Sequence, residues 1–183
     1  MVSIRRSFGR GLPVLLLLGS TAPLVAQEYR AVVRLQPRTV PVALDTIAVS
    51  SDLEAPPARV FGAVRQAFES LGIKVEVEDS THGLIGNEKL VRRLDLAGEP
   101  LSRYFNCGSS LVGANADRYR LTIAVAAFVD PLPGGGTRLG LATTAMGRDV
   151  EGASLDPIGC ETTGHLENRL ATLIKARLLP GLG

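Results

Sequence analysis

The stretch of sequence that best defines the fold runs from Arg118 to Asp149 and reads RYRLTIAVAAFVDPLPGGGTRLGLATTAMGRD. Apolar residues alternate on both sides of a central loop, which is the period of a half-buried β-strand. Strands are predicted over 118–129 and 137–149, because the Asp-Pro and Gly-Gly-Gly segments between them favour a hairpin loop. One face of this hairpin is predicted to carry Leu121, Ile123, Val125, Ala127, Leu139, Leu141, Thr143 and Ala145.

Two amphipathic helices are predicted, one before and one after this hairpin in the sequence. The first begins at Pro56-Pro57, since proline is tolerated in the first helical turn, and Gly72 stands where a C-terminal glycine is expected. Its apolar face consists of Val60, Phe61, Val64, Ala67, Phe68 and Leu71. The second helix ends at Pro180-Gly181, and one stripe of it is predicted to consist of Leu166, Leu170, Leu173, Ile174 and Arg177.

Shorter strands complete the predicted fold. They are expected over 45–53, 73–78 and 84–91, with a turn at 79–83 that makes the last two a hairpin. Residues 92–116 and 150–163 are predicted to be irregular or loop. The order is therefore β-α-β-β-β-β-α, which predicts an α+β fold with an antiparallel sheet of about five strands covered on one face by the two helices.

The N-terminal segment is typical of a secretory signal peptide. Arg5, Arg6 and Arg10 precede an apolar run over 12–18, and a cut is predicted near Ala26. The adjacent pair Arg5-Arg6 leaves the twin-arginine route open as well. The run is shorter than the roughly 20 residues of a membrane span, so no transmembrane span is expected in the mature chain. The predicted organisation is a signal peptide (1–26), an N-terminal arm (27–42), one α+β domain (43–179) and a C-terminal tail (180–183).

Composition excludes some classes of partner. The full chain has a formal net charge of +2, but residues 1–26 contain three arginines and no acid, so the remainder has a net charge of −1. A surface without a basic excess does not favour nucleic-acid binding. The absence of Trp and the 4% aromatic content make stacking on sugars or bases less expected.

The chain has two cysteines, Cys107 and Cys160. In an exported protein they are predicted to form a disulfide, with a metal site or two free thiols as the alternatives. A zinc site would need His82 and His165 as further ligands, and His82 lies far from Cys107 in the sequence. No metal and no cofactor are therefore expected.

Residues 45–91 and 118–178 resemble helix-grip domains, in which a long C-terminal helix lies across an antiparallel sheet. The residues that carry this resemblance are Asp52, Pro56, Val60, Ala67, Leu71, Gly72, Asp79, Gly83 and Ile85. Their pattern is similar to the repeats of the BamC-type lipoproteins of the outer-membrane β-barrel assembly machine. This chain lacks a lipid-accepting cysteine at the predicted cut, and its cysteine pair is not part of that pattern. The resemblance implies a small envelope module that works through its surface and not through chemistry.

Motifs for catalysis are lacking in the sequence. A nucleophile needs a nearby base, and the only histidines are His82 and His165, without a Gly-x-Ser-x-Gly elbow. Glu76 and Glu78 alternate with valines and are expected on a solvated sheet face. An enzyme of unrecognised type would need His165, Glu161 and Glu167 to converge in a cleft. The protein is therefore predicted not to be an enzyme.

Five arginines flank the irregular segment and form a candidate basic patch for an acidic partner or a lipid headgroup. Scattered solvated arginines are the alternative interpretation. The residues concerned are Arg92, Arg93, Arg103, Arg118 and Arg120.

The sequence thus predicts an exported, periplasmic or extracellular protein that is a non-catalytic binding or assembly module with a protein partner in the cell envelope. The alternative is a carrier that holds a small apolar ligand between the sheet and the C-terminal helix. Such a cavity would be lined by Leu121, Ile123, Leu139, Leu141 and Leu170.

Overall fold

The computed structural model describes residues 32–33, 42–150, 152 and 156–179. The predicted signal peptide, most of the N-terminal arm and the C-terminal tail lie outside the described residues. The helices are α1 (Leu44–Ile47), α2 (Pro57–Ser70) and α3 (His165–Leu178). The strands are β1 (Val32–Val33), β2 (Val42–Ala43), β3 (Val49–Leu53), β4 (Val77–Asp79), β5 (Leu84–Arg92), β6 (Asp95–Leu96), β7 (Glu99–Pro100), β8 (Phe105–Asn106), β9 (Ser109–Ser110), β10 (Gly113–Ala114), β11 (Arg120–Pro131), β12 (Thr137–Arg148) and β13 (Ile158–Thr162).

An antiparallel main sheet organises the described residues. Its seven strands follow the order β4-β5-β11-β12-β13-β8, and β3 also pairs with β12. The β11–β12 hairpin is centred on Gly134, so that Arg120 pairs with Arg148 at one end and Pro131 with Thr137 at the other. On its other edge, β12 pairs with β3 through residues 137–141 and with β13 through residues 145–147. β12 is thus the strand on which three others assemble.

Helices α2 and α3 cover one side of this sheet, which we call the helix face. The alternating residues of β11 and β12 that include Leu121 and Leu139 point to it, and both are fully buried. Phe68 of α2 and Leu170 of α3 are fully buried in the same core. The amphipathic spacing of both helices explains this layer, because each helix has one apolar stripe to remove from water.

The opposite side, which we call the open face, carries a second and smaller apolar cluster. Ala124, Ala126 and Ala142 of the central hairpin are buried there against Val33 and Leu44. The β1–β2 pair and α1 therefore cover part of the open face with N-terminal residues. The sequence pattern predicts helices on one face only and indicates no cover for the other.

The predicted α+β class, with a mostly antiparallel sheet and two long helices, is confirmed. The predicted limits of α2 and of the long hairpin agree with the structure to within about two residues. Among the described residues, no helix combines the length and the apolar character needed to cross a bilayer.

The strand count of about five is wrong, because β8 and β13 also join the main sheet. Residues 158–162 were expected in a loop, yet they pair with β12. By contrast, the alternating segment 73–76 forms no strand. The ladder with β5 is confined to β4 at 77–79, although the Glu76 backbone N–H also donates to the Gly86 carbonyl at 2.9 Å. The predicted strand 45–53 is shorter, because residues 44–47 form α1 and the strand starts at Val49.

Candidate functional site

The predicted disulfide joins Cys107, just after β8, to Cys160 in β13, with their Cα atoms 4.3 Å apart. Both cysteines are buried, and β8 pairs with β13 directly beside the bond through Glu161 and Asn106. With both sulfurs bonded, neither cysteine is a thiolate ligand, so the zinc alternative built on this pair does not apply.

A short hairpin follows Cys107 and projects two apolar side chains into solvent. β9 and β10 are joined by a two-residue turn, Leu111-Val112, which we call the apolar tip. Leu111 is 108% exposed and Val112 is 70% exposed, the two highest values among the large apolar residues described. Two-residue hairpin turns usually contain Gly, Asn or Asp, so turn geometry does not account for leucine and valine here.

Hydrogen bonds hold the base of this hairpin. The backbone N–H of Asn115 donates to the Gly108 carbonyl at 3.0 Å, and its side-chain Nδ2 donates to the Cys107 carbonyl at 3.2 Å. The backbone N–H of Gly108 donates to Asn106 Oδ1 at 2.9 Å. These bonds lie beside the disulfide, so the apolar tip stands on an anchored base.

The five arginines of the predicted basic patch do not lie on one surface. Arg92 is on the helix face, where its Nη2 donates to the Gly72 carbonyl at 2.5 Å, whereas Arg120 is on the open face. Arg103 lies 3.6 Å from the Glu99 carboxylate. Arg93 and Arg118 are exposed, and both take part in further contacts.

A pocket on the open face contains a pair of arginines that includes one of those five. Arg120 and Arg148 are directly opposite each other on β11 and β12, so their side chains emerge together. The cavity between them is about 320 Å³ in volume. We call it the arginine pocket; its lining residues are Val91, Arg120, Thr122, Met146, Arg148 and Pro157.

The arginine pocket is electrostatically unbalanced. Two like charges directly opposite on neighbouring strands destabilise a sheet unless something offsets them. Among the residues that the structure describes, neither Arg120 nor Arg148 forms an ion pair or a side-chain hydrogen bond. Asp149, the next residue along, accepts a hydrogen bond from the Gly152 backbone at 2.9 Å. The pocket is thus suited to an anion.

A second charged cluster surrounds Glu99 and is satisfied internally. The Glu99 carboxylate lies 3.0 Å from His165 Nε2 and 3.1 Å from Arg169 Nη1, with Arg103 at 3.6 Å. Burial raises the pKa of the Glu99 carboxyl, but the His165 hydrogen bond and the neighbouring positive charges lower it more, so this pKa lies below its ordinary value.

Tyr104 extends the Glu99 cluster into the core. Its hydroxyl donates to the Leu96 carbonyl at 3.2 Å and accepts a hydrogen bond from Arg169. Burial raises the pKa of Tyr104 above its ordinary value, against the opposing charge of Arg169. Because these contacts connect the β6–β7 hairpin to the first turns of α3, the cluster fastens two elements together.

The three residues of the hypothetical catalytic cleft are engaged separately. Glu167 is buried and accepts hydrogen bonds from Thr143 Oγ1 at 2.5 Å and from Thr162 Oγ1 at 3.0 Å. His165 bonds to Glu99, and Glu161 is exposed on β13. No hydrogen bond joins His165 to Glu161 or Glu167 within the described part of the chain.

The five leucine and isoleucine residues predicted to line a ligand cavity are packed in the main core. Leu121, Ile123, Leu139, Leu141 and Leu170 are each at most 3% exposed. None of these five residues lines any of four surface pockets found on the described part of the chain. The carrier hypothesis stays a prediction.

His82 lies in the turn between β4 and β5, as the sequence predicts. Asp79 Oδ1 accepts from the backbone N–H groups of Thr81 and His82, and Asp79 Oδ2 lies 2.7 Å from His82 Nδ1. The hydrogen bond with the His82 side chain is the main reason why the pKa of Asp79 is lowered. In the described ranges, no three acidic, histidine or cysteine side chains cluster as metal ligands would.

No protein-family model matches this chain, and no curated protein matches it either. The class that the structure defines is α+β, with two helices on one side of a mostly antiparallel sheet.

Three residues of these sites, Leu111, Val112 and Arg148, are not among those predicted from the sequence. Arg148 has a clear signal, since a hairpin centred on the glycine loop pairs it with Arg120. Leu111 and Val112 are apolar residues between Ser110 and Gly113, and nothing in that spacing indicates that they stay exposed. Their exposure depends on the short β9–β10 pairing.

Proposed function

We propose that this protein is an exported, non-catalytic envelope protein that acts as a binding or assembly module and docks a protein partner on the apolar tip. The single observation that carries the proposal is the full exposure of Leu111, next to Val112, on an anchored hairpin. Exposed apolar side chains on a fixed support are features of protein interaction sites.

The compartment is part of the proposal. The charged and apolar runs within residues 1–26 support cleavage near Ala26 and export to the periplasm or outside the cell. A disulfide beside the apolar tip supports an oxidising compartment, where such bonds persist. The same bond gives the tip a rigid base only after export.

The fold is proposed to be a helix-grip arrangement of the kind found in BamC-type domains. Support comes from α3, a C-terminal helix whose Leu166, Leu170 and Ile174 are fully buried in the core of the helix face. In such a module the sheet and helix form a scaffold, and loops at its ends carry the partner contacts.

A non-catalytic role is supported by the engagement of the groups that could do chemistry. His165 and Glu99 hold the β6–β7 hairpin against α3, and Glu167 accepts hydrogen bonds from two threonines. Each contact positions one element against another, which is a structural task.

The partner is expected to offer an apolar pocket to the tip. A leucine buried in such a pocket contributes roughly 1.5–3 kcal/mol relative to its exposed state, enough to make Leu111 an energetic centre of the interface. Because the anchored hairpin is ordered before binding, little conformational entropy is lost on docking.

Site-specific photo-crosslinking tests this proposal. A photoreactive amino acid replaces Leu111 in cells that export the protein, and the matched control carries it at Val49, which is 62% exposed on β3. We expect one discrete adduct from position 111 and none from position 49. Identical adducts from both positions, or no adduct from position 111, would contradict the proposal.

Substitutions then test the energetics of the same complex. Leu111→Ser and Val112→Ser are expected to weaken binding of the identified partner by about tenfold or more, since hot-spot side chains contribute at least this much. Val49→Ser is the control and is expected to bind as the unaltered protein does. Because all three positions are exposed, the melting temperature is expected to change little, which separates binding from folding.

A further inference from the structure

We propose that the arginine pocket is a binding site for a phosphate monoester that carries a short apolar substituent. This site is separate from the apolar tip and does not depend on the proposed function. It rests on three observations: a directly opposed pair of arginines without ion-pair partners among the described residues, a cavity between them, and apolar walls beside them.

The charge of the ligand follows from the two guanidinium groups. Arg120 and Arg148 supply two positive charges at one place, and each presents a planar fork of N–H donors that fits phosphate or carboxylate oxygens. A carboxylate has one negative charge and two oxygens, which one arginine satisfies. A phosphate monoester near pH 7 has close to two negative charges and three terminal oxygens, so it can engage both forks.

The apolar residues that line the arginine pocket indicate that the ligand has an apolar part. Val91, Met146 and Pro157 line the cavity beside the arginines, and Thr122 adds a hydroxyl that can donate a further hydrogen bond. The volume of about 320 Å³ lies at the lower end of the range for small-molecule sites, which is suited to a phosphate with a short carbon chain.

The site is preorganised by the sheet. Val91 on β5, Thr122 on β11 and Met146 on β12 occupy paired positions on adjacent strands, so their side chains point to the same open face. Binding groups on paired strands are held more precisely than groups on a loop. An anion between the two arginines offsets the repulsion that their cross-strand pairing creates, which favours the bound state.

Calorimetry with purified protein tests the chemistry. The probes are hexyl phosphate, inorganic phosphate and hexanoate at pH 7.5, with the first repeated at pH 5. We expect hexyl phosphate to bind at least about tenfold more tightly than hexanoate, because it engages the second arginine. Binding is expected to weaken several-fold at pH 5, since the second phosphate pKa is about 6 and the ligand there has mostly one charge. Equal affinity for the two hexyl ligands would overturn the proposal.

Three variants locate the binding. Arg148→Gln is expected to weaken hexyl phosphate binding by about tenfold. Arg138→Gln is the matched control, because it removes the same charge from the same strand and face at the far end, where Arg138 pairs with Asp52. Val91→Thr keeps a β-branched side chain but replaces an apolar methyl, so it is expected to weaken hexyl phosphate and leave inorganic phosphate unchanged. Equal effects of Arg138→Gln and Arg148→Gln would show general charge attraction and overturn the site.

A last measurement distinguishes two ligands that present the same phosphate monoester, a lipid headgroup and a free phosphate ester. Vesicles containing phosphatidic acid present a phosphate monoester at a membrane surface, and vesicles with phosphatidylglycerol present a diester of one charge. Binding to hexyl phosphate with preference for the first vesicles assigns a lipid headgroup, whereas binding to hexyl phosphate without vesicle binding assigns a free phosphate ester. Both outcomes support the site, and vesicle binding that Arg148→Gln leaves unchanged counts against it.

Discussion

The Glu99 carboxylate faces three side chains that are charged or can be charged, namely His165, Arg169 and Arg103. Burial raises the pKa of the Glu99 carboxyl, but the hydrogen bond from His165 and the nearby positive charges lower it more. The pKa of Glu99 is therefore lowered in the folded protein. The contribution of this group to stability is therefore complete above the pKa that Glu99 has in the unfolded chain. It is lost as the pH falls through the lower pKa of the folded state.

Replacing Glu99 by Gln tests this dependence. The melting temperature of the unaltered protein is expected to fall more steeply than that of Glu99→Gln as the pH drops below about 4.5, because only the former has a Glu99 carboxylate to protonate. Thermal melts between pH 3 and 7 measure the two profiles. Glu69→Gln, which alters an exposed residue of α2, is the control, and a profile identical to that of Glu99→Gln would contradict the assignment.

Gly83 is a residue at which only glycine fits. Its φ is +65°, and a Cβ added there would lie 2.3 Å from the Val129 carbonyl oxygen on β11. We expect Gly83→Ala to lower the free energy of unfolding by more than about 2 kcal/mol, because backbone strain and a steric clash add. Gly98→Ala is the matched control, since Gly98 also has a positive φ but its added Cβ meets nothing within 4 Å. Chemical denaturation of both variants gives the comparison; equal losses would mean that strain alone acts at Gly83.

At the scale of single elements, α2 is the helix whose burial the sequence predicts best. Phe68 is fully buried in the main core, and Gln66 two residues earlier is exposed. Phe68→Ala is expected to lower the free energy of unfolding by about 3–5 kcal/mol through the cavity that it leaves. Gln66→Ala is expected to change it by less than about 0.5 kcal/mol. Urea denaturation checks both values, and similar small losses would contradict the burial of this face.

The disulfide fixes β13 to the segment after β8. Removing it by the pair of changes Cys107→Ser and Cys160→Ser is expected to lower the free energy of unfolding by about 4 kcal/mol, because the bond closes a loop with a separation of 53 residues. Denaturation of the unaltered protein under reducing conditions should show the same loss. If the reduced protein is as stable as the oxidised protein, the disulfide does not contribute to the free energy of unfolding.

Regular elements could be predicted from the sequence where their signal is local. The spacing of Val60, Val64 and Phe68 defines α2, and the glycine loop centred on Gly134 sets the register of the long hairpin. β13 could not be predicted, because Cys160 is its one buried residue and its pairing with β12 is a contact between distant parts of the chain. Segment 73–76 has the alternating pattern of a strand, but its residues have no ladder partners in β5. Periodicity alone therefore predicts a longer strand than the structure contains.

The candidate sites are harder to predict from the sequence than the helices and strands are. Arg120 was included in a basic patch by its nearness in sequence to Arg118, whereas its partner in space is Arg148 across the hairpin. Cross-strand register would have found that pair. The apolar tip had no such signal, because exposure is a property of the folded surface and not of the residue type.

At the scale of the whole molecule, the proposed export makes predictions about the N-terminal segment and the disulfide together. The mature chain is expected to begin at Gln27 and to carry the Cys107–Cys160 bond. Mass spectrometry of the denatured protein from the producing cells measures the cleavage site, and the mass is expected to rise by two hydrogens on reduction. A full-length mass, with Met1 to Ala26 retained, would contradict export by cleavage.

The covalent bond between Cys107 and Cys160 also determines how the molecule responds to mechanical load. Tension applied at the two ends of the chain passes from Cys107 to Cys160 through the sulfur atoms, so the backbones of β11 and β12 both lie outside the covalent path that carries the load. The stretched contour is shortened by about 18 nm, at roughly 3.4 Å for each bypassed residue. A protein built in this way can be pulled at its ends while the hairpin that carries Arg120 and Arg148 stays bypassed by the covalent path.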